Sequence, residues 1–573
     1  MNTESENPRR NFIKRSGQFS LAALGGMALA SGASGASAPV GRNQEEATGK
    51  VFLDSRRDGR AEGQTGIPGV LVSNGTDIVR TDANGNYRIP VSDDTILHVI
   101  KPRGYATKID ELKLPKFYYI HKPEGSPDED FIYKGIAPTG PLPESIDFPL
   151  HQQVEPESFE VLFTADPQCY HLEHLKWYAK ETTRAFSSLP VAFAVALGDI
   201  VGDHLDIYGP YNKINARCSF PWHNVIGNHD LNFMAKEDRY SEETFKRIYG
   251  PTTYAFQYSR VHFLVLNNVY WEGFTQMRAD GWPRRGQYRG HIRPEQFQYI
   301  RNYLQHVPAD ERIVICSHIP LANTADSDRK HETAETRELL EVLSGHRYTL
   351  SFSGHTHINM NYFLGANEGY RAPGGAEHHH CNLTATCGSW YRGPLDAEGV
   401  PFSPGRDGSP KGYAVVRFEG ADRYQIDIRS LGKPEGDRMT ITLPSVVESA
   451  ELDSTEVHVN VFAGSEQSMV RMRVNDGRWI PMTQMEIEDP SYIALRERSE
   501  THPESGQGIL PAPMKTDHQW RAKLPHGLDE GWHTLSIEVR NGPGEHWQDQ
   551  KTFAVARDKA QLDHLNQGTR SPA

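Results

Sequence analysis

Apolar positions recur along the middle of the chain with two different periods, and each period predicts one kind of element. Short runs that are apolar at nearly every position, such as VLFT and VAFAVALG, predict strands buried on both faces. Between them, segments such as PEQFQYIRNYLQHV have apolar residues three and four positions apart, which predicts amphipathic helices. Because strands and helices alternate from residue 158 to residue 395, we predict a layered α/β domain there.

The segment before this α/β region carries strand patterns only. Residues 49–150 show alternating apolar positions with Asn-Gly turn signals at 74–75 and 84–85, which predict an N-terminal β-sandwich module. The module resembles prealbumin-like repeats. The loop after Asp54 is similar to calcium-stabilised versions of that repeat, but Arg56 stands at a ligand position, so we expect a plain loop.

The segment after the α/β region also reads as strands. Residues 405–557 contain runs such as STEVHVNVFAG and EGWHTLSIEVRN, which alternate like antiparallel strands, and no helical period. They predict a C-terminal β domain that resembles an immunoglobulin or fibronectin module. Residues 558–573 form a polar tail that we expect to fray.

The first forty residues, 1–40, are predicted to be a targeting signal. Arg9 and Arg10 precede the short apolar run LAALGGMALA, and the pattern resembles a twin-arginine export signal of bacteria. The alternative is the basic start of an ordinary secretory signal. No later apolar run reaches the length of a membrane span. We therefore expect a periplasmic or extracellular protein without a transmembrane segment.

Length, charge and cysteine content narrow the class of protein. The chain has 573 residues, too many for a single core, and a formal net charge of −13, which argues against a nucleic-acid partner bound through a general basic face. The five cysteines include no Cys-x-x-Cys pair, so we do not predict a thiolate zinc site. We predict that the cysteines are buried free thiols.

Five polar motifs carry the candidate chemistry, and each follows an apolar strand. They are Asp166-Pro167-Gln168, Gly198-Asp199 with Asp203, Gly227-Asn228-His229-Asp230, His318, and Gly354-His355-Thr356-His357. Carboxylate, amide and imidazole donors together suit two borderline divalent metal ions, since a magnesium site would not need three histidines and a structural zinc site needs only four ligands. A histidine taken alone would more often be a hydrogen-bonded core residue.

The order and spacing of these motifs resemble those of the calcineurin-like metallophosphoesterase superfamily. Together with both β modules, they are similar to an exported bacterial subgroup with N-terminal and C-terminal β domains. The resemblance covers nearly all of the chain beyond the signal. It implies a four-layer α/β/β/α sandwich, two metal ions (manganese, iron or zinc) and hydrolysis of a phosphate ester by a metal-bridging hydroxide, without a covalent intermediate.

The resemblance also implies a role for each motif residue. One metal would be held by Asp166, Gln168, Asp199 and His357, and the other by Asp199, Asn228, His318 and His355, so that the Asp199 carboxylate bridges them. His229 would stabilise the transition state or protonate the leaving oxygen, and Asp203 would orient its imidazole, with Asp206 as the alternative. Asp230 is expected to brace its turn rather than bind metal.

Two positions depart from the family pattern. Gln168 stands where the family usually has histidine. A neutral amide oxygen is a weaker ligand than imidazole, so we expect a looser first metal or, alternatively, a Gln168 that only hydrogen-bonds to a ligand. Three residues rather than two separate Asp199 from Asp203, as in some members that resemble cyclic-nucleotide phosphodiesterases. This spacing favours a phosphodiester substrate.

Three further residues are candidates for substrate binding. His378 and His380 lie two positions apart in EHHHCNLTATCGSWYRG, so in a strand they share a face, and Arg392 follows closely. We predict that they line the pocket and that Arg392 contacts a phosphate oxygen. The alternative is an edge strand with exposed histidines and a surface arginine.

The sequence thus predicts an exported phosphoesterase that acts on a phosphate-ester small molecule or on a lipid or glycan headgroup. One alternative is a phosphomonoesterase or nucleotidase. Another is an envelope glycan-binding protein with a degenerate hydrolase core, which the two β modules permit and Gln168 favours. The oligomeric state is not predicted.

Overall fold

The computed structural model of the chain describes residues 45–127, 131–274, 286–323, 330–433, 436–503, 506–542 and 545–557. The predicted signal, residues 1–40, and the predicted polar tail, residues 558–573, lie outside the described residues. In the ranges described, no helix combines the length and the apolar character needed to cross a bilayer.

The N-terminal region consists of strands that form two sheets, with the orders β4-β1-β9-β6-β7 and β3-β2-β5-β8. The strands are β1 (Glu45–Leu53), β2 (Leu71–Ser73), β3 (Ile78–Arg80), β4 (Asn86–Val91), β5 (Thr95–Ile100), β6 (Tyr105–Ile109), β7 (Pro115–Lys116), β8 (Tyr118–His121) and β9 (Phe148–Gln152). Alternate side chains such as Val51 and Leu97 are fully buried, as the period-two pattern predicts. Gly75, with φ of 99°, forms the predicted turn between β2 and β3. In the loop after β1, the Asp54 carboxylate accepts the backbone N–H of Gly59 at 3.0 Å.

The central region alternates strands and helices, as the apolar pattern predicts. The strands are β10 (Ser158–Thr164), β11 (Phe193–Ala196), β12 (Trp222–Asn224), β13 (Tyr254–Tyr258), β14 (Val261–Val265), β15 (Val269–Gly273), β16 (Gln287–Gly290), β17 (Arg312–Cys316), β18 (Thr349–Ser353), β19 (Met360–Leu364), β20 (His378–Asn382), β21 (Gly393–Pro394), β22 (Gly412–Glu419) and β23 (Arg423–Ser430). The helices are α1 (Leu172–Phe186), α2 (Tyr208–Asn215), α3 (Glu243–Tyr249), α4 (Pro294–Leu304) and α5 (Thr336–Leu343). Short 3₁₀ helices span Leu205–Ile207, Asp238–Tyr240 and Pro373–Gly375.

Two mixed sheets face each other in the central region, with the orders β12-β11-β10-β22-β23 and β13-β14-β17-β18-β20-β19. Phe163 of β10 and Phe352 of β18 meet between the sheets, with ring centroids 4.2 Å apart. On the outer faces, Leu162 packs in a core with α1 and α2, and Ile313 packs in a core with α4 and α5. Burial of each such side chain contributes roughly 1.5–3 kcal/mol. The layers are helix, sheet, sheet and helix, so the predicted α/β/β/α sandwich is confirmed.

One predicted boundary is wrong. The sequence places the C-terminal β domain from residue 405, but β22 pairs antiparallel with β10, and β23 pairs with β22, inside the first central sheet. The reason is that an antiparallel hairpin has the same period-two pattern whichever sheet it joins. The separate C-terminal sandwich therefore begins after Ser430.

The C-terminal region is a β-sandwich, as predicted, with sheet orders β24-β26-β31-β29 and β25-β33-β32-β27-β28. Its strands are β24 (Met439–Thr442), β25 (Val446–Glu448), β26 (Glu456–Val461), β27 (Met469–Val474), β28 (Ile480–Pro481), β29 (Thr483–Glu488), β30 (Gly506–Gln507), β31 (Lys515–Lys523), β32 (Gly531–Gly542) and β33 (Glu545–Ala556), with a 3₁₀ helix at Leu452–Ser454. The prediction missed one helix, α6 (Pro490–Thr501). The Asp489 side chain caps it by accepting the Tyr492 N–H at 2.7 Å.

Candidate dinuclear metal centre

The five polar motifs meet at one edge of the two facing sheets. β10 and β11 are parallel neighbours in the first sheet, and β17 and β18 are parallel neighbours in the second. Their carboxyl ends therefore deliver the motifs to a common edge, which is where open α/β sheets bind ligands. Six residues of the motifs have left-handed backbone: Asp166, Gln168, Asp199, Asp203, His355 and His357. Such conformations cost free energy and cluster at functional sites.

The ligands predicted for one metal ion converge tightly. His318 Nε2 lies 3.3 Å from Asp199 Oδ1 and 3.1 Å from Asn228 Oδ1. His355 Nδ1 lies 3.1 Å from the same His318 Nε2. The donor atoms of Asp199, His318 and His355 all lie within 4.8 Å of one another. Several lone pairs directed into one small space fit a divalent cation.

Backbone carbonyls fix which nitrogen of each histidine faces this space. His318 Nδ1 donates to Leu197 O at 2.8 Å, and His355 Nε2 donates to Lys330 O at 3.0 Å. Each imidazole therefore keeps the lone pair of its other nitrogen for a metal. This arrangement is the one that metal-ligating histidines commonly show, and it supports the predicted ligand roles.

Two of the ligands predicted for the other metal ion, Asp166 and His357, also lie together. His357 Nε2 is 3.5 Å from Asp166 Oδ1, while His357 Nδ1 donates to Gly388 O at 2.5 Å. Asp166 is fully buried, and its Oδ1 has no hydrogen-bond partner among the described residues. A buried carboxylate oxygen without a donor is costly unless a cation compensates it. The chemistry of this half-site therefore fits a metal ion.

Gln168 is buried beside Asp199. Its Nε2 lies 3.2 Å from Asp199 Oδ2, and its Oε1 lies 3.8 Å from the Cys387 thiol. The amide oxygen must exchange places with the nitrogen to ligate a metal beside Asp199. A metal-ligating Gln168 and a Gln168 that only hydrogen-bonds to Asp199 both remain consistent with this position, so its ligand role stays a prediction.

The carboxylate of Asp199 occupies the centre of the site. Its Oδ1 faces His318 and accepts the His229 N–H at 2.7 Å, while its Oδ2 faces Gln168. Burial acts to raise the pKa of Asp199, but the electrostatic attraction between its carboxylate and the His318 and His229 rings outweighs burial and holds the pKa well below its usual range. An ionised carboxylate with one oxygen toward each half-site has the geometry that the predicted bridging role requires.

His229 and Asp203 form a directly contacting pair. Asp203 Oδ1 lies within hydrogen-bond distance of His229 Nδ1, despite the extra residue between Asp199 and Asp203. His229 Nε2 lies 3.8 Å from Asp199 Oδ2. Because Asp203 engages one ring nitrogen, the other is directed toward the centre of the site.

Asp230 braces the turn that carries Asn228 and His229, as expected. Its carboxylate accepts the Gly227 N–H at 2.8 Å and the Tyr208 hydroxyl at 2.9 Å. Burial, together with the nearby Asp199, raises the pKa of Asp230 to about 7.

Three glycines of the motifs are required by close packing against the ligands. A Cβ at Gly227 would lie 2.3 Å from Asp199 Oδ1, and one at Gly354 would lie 2.3 Å from Asp166 Oδ2. A Cβ at Gly198 would lie 2.5 Å from His318 Nδ1. Side chains at these positions would displace the ligands, so the glycines of the motifs shape the centre.

The prediction that His378 and His380 line the substrate pocket is wrong. Both are fully buried in β20, where both contact Ser351 Oγ at 2.7 Å, and burial lowers the pKa of both. His380 Nε2 also accepts the N–H of Leu321, in the loop that follows His318. The alternation of side chains along a strand correctly predicted that the two histidines share a face, but that face packs against the core. Arg392 is exposed, and its role in phosphate binding stays a prediction.

Two aromatic residues beside the centre were not predicted as site residues. The half-buried Tyr170 meets His229 edge-on, with ring centroids 6.0 Å apart, and the half-buried Trp390 lies 4.5 Å from the His357 ring. In the sequence, only the position of Tyr170, two residues after Gln168, indicates that it lies near the centre. The five cysteines are buried free thiols, as predicted.

Comparison with known proteins gave three family matches. The family model described as calcineurin-like phosphoesterase matches residues 159–359. The family model described as the N terminal of calcineurin-like phosphoesterase matches residues 55–135, and the family model described as its C terminal matches residues 378–547. A search of curated proteins found no match.

Several solved structures are similar to parts of the chain. A dimetal phosphatase from Danio rerio is 16% identical, covers 48% of this chain and 96% of its own, and has a TM-score of 0.32. The structure of PhoD is 10% identical and covers 67% and 85%, with a TM-score of 0.34. A purple acid phosphatase from yellow lupin (Lupinus luteus) seeds is 9% identical and covers 63% and 67%, with a TM-score of 0.34.

Proposed function

Because the chain belongs to the calcineurin-like phosphoesterase family, whose members are dinuclear metal-dependent phosphoester hydrolases, we propose that it is an exported enzyme that prefers phosphodiesters. Its class, a metal-dependent phosphoric ester hydrolase, follows from the family. The substrate preference, the export, the metal identity and the residue roles are the proposal. Manganese, iron and zinc all suit the mixed oxygen and nitrogen donors.

The residues of the centre have two kinds of role, metal binding and proton transfer. Asp166, Gln168, Asn228, His318, His355 and His357 would hold two metal ions, with Asp199 between them. When bound, such ions supply a water nucleophile activated near neutral pH and positive charge for the phosphoryl oxygens. His229 donates the proton from Nε2 to the leaving oxygen, and Asp203 holds the imidazole at Nδ1 in the orientation that this transfer needs.

The observation that carries the phosphodiester preference is the pair of aromatic rings at the centre. Tyr170 lies beside His229, where the leaving group departs, and Trp390 lies beside His357 in the other half-site. A phosphodiester has an organic group on each side of phosphorus, so both groups can pack against a ring, whereas a monoester has only one.

Charge in the site favours the same substrate. The ion pairs that Asp166, Asp199 and Asp203 make among the described residues are all with histidines. A phosphomonoester carries a charge between −1.5 and −2 near pH 7, roughly, and a diester carries about −1. A diester therefore requires less positive charge at the centre than a monoester does.

We expect the metal-loaded enzyme to hydrolyse bis(p-nitrophenyl) phosphate with a kcat/KM about tenfold or more above that for p-nitrophenyl phosphate. Tenfold corresponds to about 1.4 kcal/mol, which is within what one additional aromatic contact contributes. Initial rates of nitrophenolate release measure both constants. Trp390→Ala should reduce the rate on the diester more than the rate on the monoester. A higher kcat/KM for the monoester would favour the phosphomonoesterase or nucleotidase alternative instead.

Export is proposed from the sequence of residues 1–40. Replacing Arg9 and Arg10 together by lysine keeps the charge but removes the arginine pair, so we expect the precursor to stay in the cytoplasm of a bacterial host. Immunoblots of periplasmic and cytoplasmic fractions measure this. The matched control, Lys14→Arg with Arg15→Lys, should be exported normally. Equal export of the double lysine variant would indicate an ordinary secretory signal.

A further inference from the structure

A cavity of about 470 Å³ lies between the open end of the two central sheets and the C-terminal β-sandwich. Strands β19, β20, β22 and β23 line it on one side, and the segment after β26 and the end of β32 line it on the other. We call it the seam cavity. Its volume is within the usual range for small-molecule sites, which often lie where two domains meet. It is separate from the metal centre, because none of the seven proposed ligands lines it.

One residue that lines the seam cavity carries a buried donor without a hydrogen-bond partner in the described part of the chain. Asn359 is 2% exposed, and its Nδ2 has no hydrogen-bond partner among the described residues. Its Oδ1 accepts the Thr384 N–H at 2.8 Å. Because a backbone N–H can only donate, this contact fixes the orientation of the amide and turns the NH₂ group away from Thr384. A buried amide NH₂ is costly unless something accepts from it, so this position calls for a ligand oxygen.

The walls of the cavity combine amides with aromatic rings. Gln425 and Gln467 supply side-chain amides, and Phe363 and Tyr424 supply rings. Amides donate and accept hydrogen bonds at once, which matches hydroxyl groups, and a ring offers an apolar face for the C–H side of a sugar.

The two arginines that line the cavity are already paired with carboxylates. Arg417 pairs with Glu160 at 2.7 Å, and Arg423 pairs with Glu419 at 3.3 Å, so both arginines at the rim are neutralised. Deeper in the cavity, His379 contacts the Tyr424 hydroxyl at 2.7 Å and Asn361 Oδ1 at 2.9 Å. Burial lowers the pKa of His379 to about 3, so the ring is neutral. An anion would therefore find no uncompensated positive charge among these groups, and Asp422 adds a carboxylate to the lining.

We propose that the seam cavity binds a neutral saccharide, with a sugar oxygen accepting a hydrogen bond from Asn359 Nδ2 and with the rings of Phe363 and Tyr424 packing against the sugar. The enzyme then carries a carbohydrate site distinct from its hydrolytic centre. This inference does not depend on the phosphodiester preference.

Isothermal titration of the full metal-loaded chain tests the proposal. The probes are maltose, lactose and N,N′-diacetylchitobiose, with glucose 6-phosphate and glucuronic acid as charged comparators. We expect at least one neutral disaccharide to bind and the charged comparators to bind at least about tenfold more weakly. Asn359→Asp keeps the oxygen that Thr384 contacts but replaces the donor NH₂, so it should weaken binding about tenfold or more.

A second variant and a chelator distinguish loss of the sugar site from misfolding and from binding at the metal centre. Gln425 and Gln467 are exposed at the mouth, so their double alanine variant should fold normally and also bind the sugar less well, while the exposed-amide control Gln152→Ala should bind like the wild type. Treatment with EDTA should leave sugar affinity unchanged. The proposal is overturned if none of the three disaccharides binds, if both cavity variants bind normally, if a charged sugar binds best, or if EDTA abolishes binding.

Discussion

Asp199→Asn is expected to remove bound metal and phosphoester hydrolysis together. The two carboxylate oxygens of Asp199 face the two half-sites, and an amide offers only one oxygen and no negative charge. Because both ions depend on this carboxylate, its loss should release both metal ions. We expect kcat/KM to fall by at least roughly a thousand-fold, since the charge stabilisation that metal ions supply amounts to several kcal/mol. Metal analysis by mass spectrometry and assays with bis(p-nitrophenyl) phosphate measure both effects.

Thermal unfolding separates metal loss from misfolding. Metal that binds only the folded chain raises its stability, so wild-type enzyme should melt at a lower temperature in EDTA, whereas the Asp199→Asn variant should melt at the same temperature with and without chelator. If Asp199→Asn retained two metal ions per chain and wild-type turnover, Asp199 would not be the bridging ligand.

His229→Ala is expected to lower kcat by about a hundred-fold to ten-thousand-fold while metal content stays at the wild-type level. The magnitude is that of a lost general acid. Metal is retained because the backbone N–H of His229, which alanine keeps, donates to Asp199 at 2.7 Å, whereas the imidazole Nε2 lies 3.8 Å from Asp199 Oδ2. Steady-state kinetics measure the fall in kcat, and metal analysis of the same preparation shows whether the metal content is unchanged.

Variants of the neighbouring carboxylates test how His229 is oriented. Asp203→Asn should lower kcat about tenfold to a hundred-fold, because Asp203 contacts His229 Nδ1 and holds the ring. Asp206→Asn is the matched control at an exposed position nearby, and its kcat should equal that of the wild type. Wild-type turnover in His229→Ala, or a larger loss in Asp206→Asn than in Asp203→Asn, would refute these roles.

The layered fold and the meeting of the motifs could largely be predicted from the sequence because Asp166, Asp199 and His318 follow closely after strands that are rich in apolar residues. Parallel strands that are neighbours in a sheet place their carboxyl ends at the same edge. Residues that follow such strands, here Asp166, Asp199 and His318, are therefore expected to lie close together. The extra residue before Asp203 did not prevent its contact with His229, and Asp203 has a left-handed backbone, with φ of 69°.

Other features depend on contacts between distant segments, which a strand pattern does not encode. β20 is buried on both faces, so the shared face of His378 and His380 could equally have been the pocket or the core. The sheet that β22 joins is decided by its pairing with β10, more than 240 residues earlier in the chain. The contact between His357 and Gly388 O depends in the same way on a loop whose path the sequence does not specify.

Anomalous X-ray scattering from crystals of the manganese-loaded wild-type enzyme tests the central claim most directly. We predict two manganese peaks per chain that share Asp199, one also ligated by Asn228, His318 and His355, and the other by Asp166, His357 and the Gln168 amide oxygen. A single peak, or peaks that lie away from the Asp199 carboxylate, would contradict the dinuclear centre proposed for this chain.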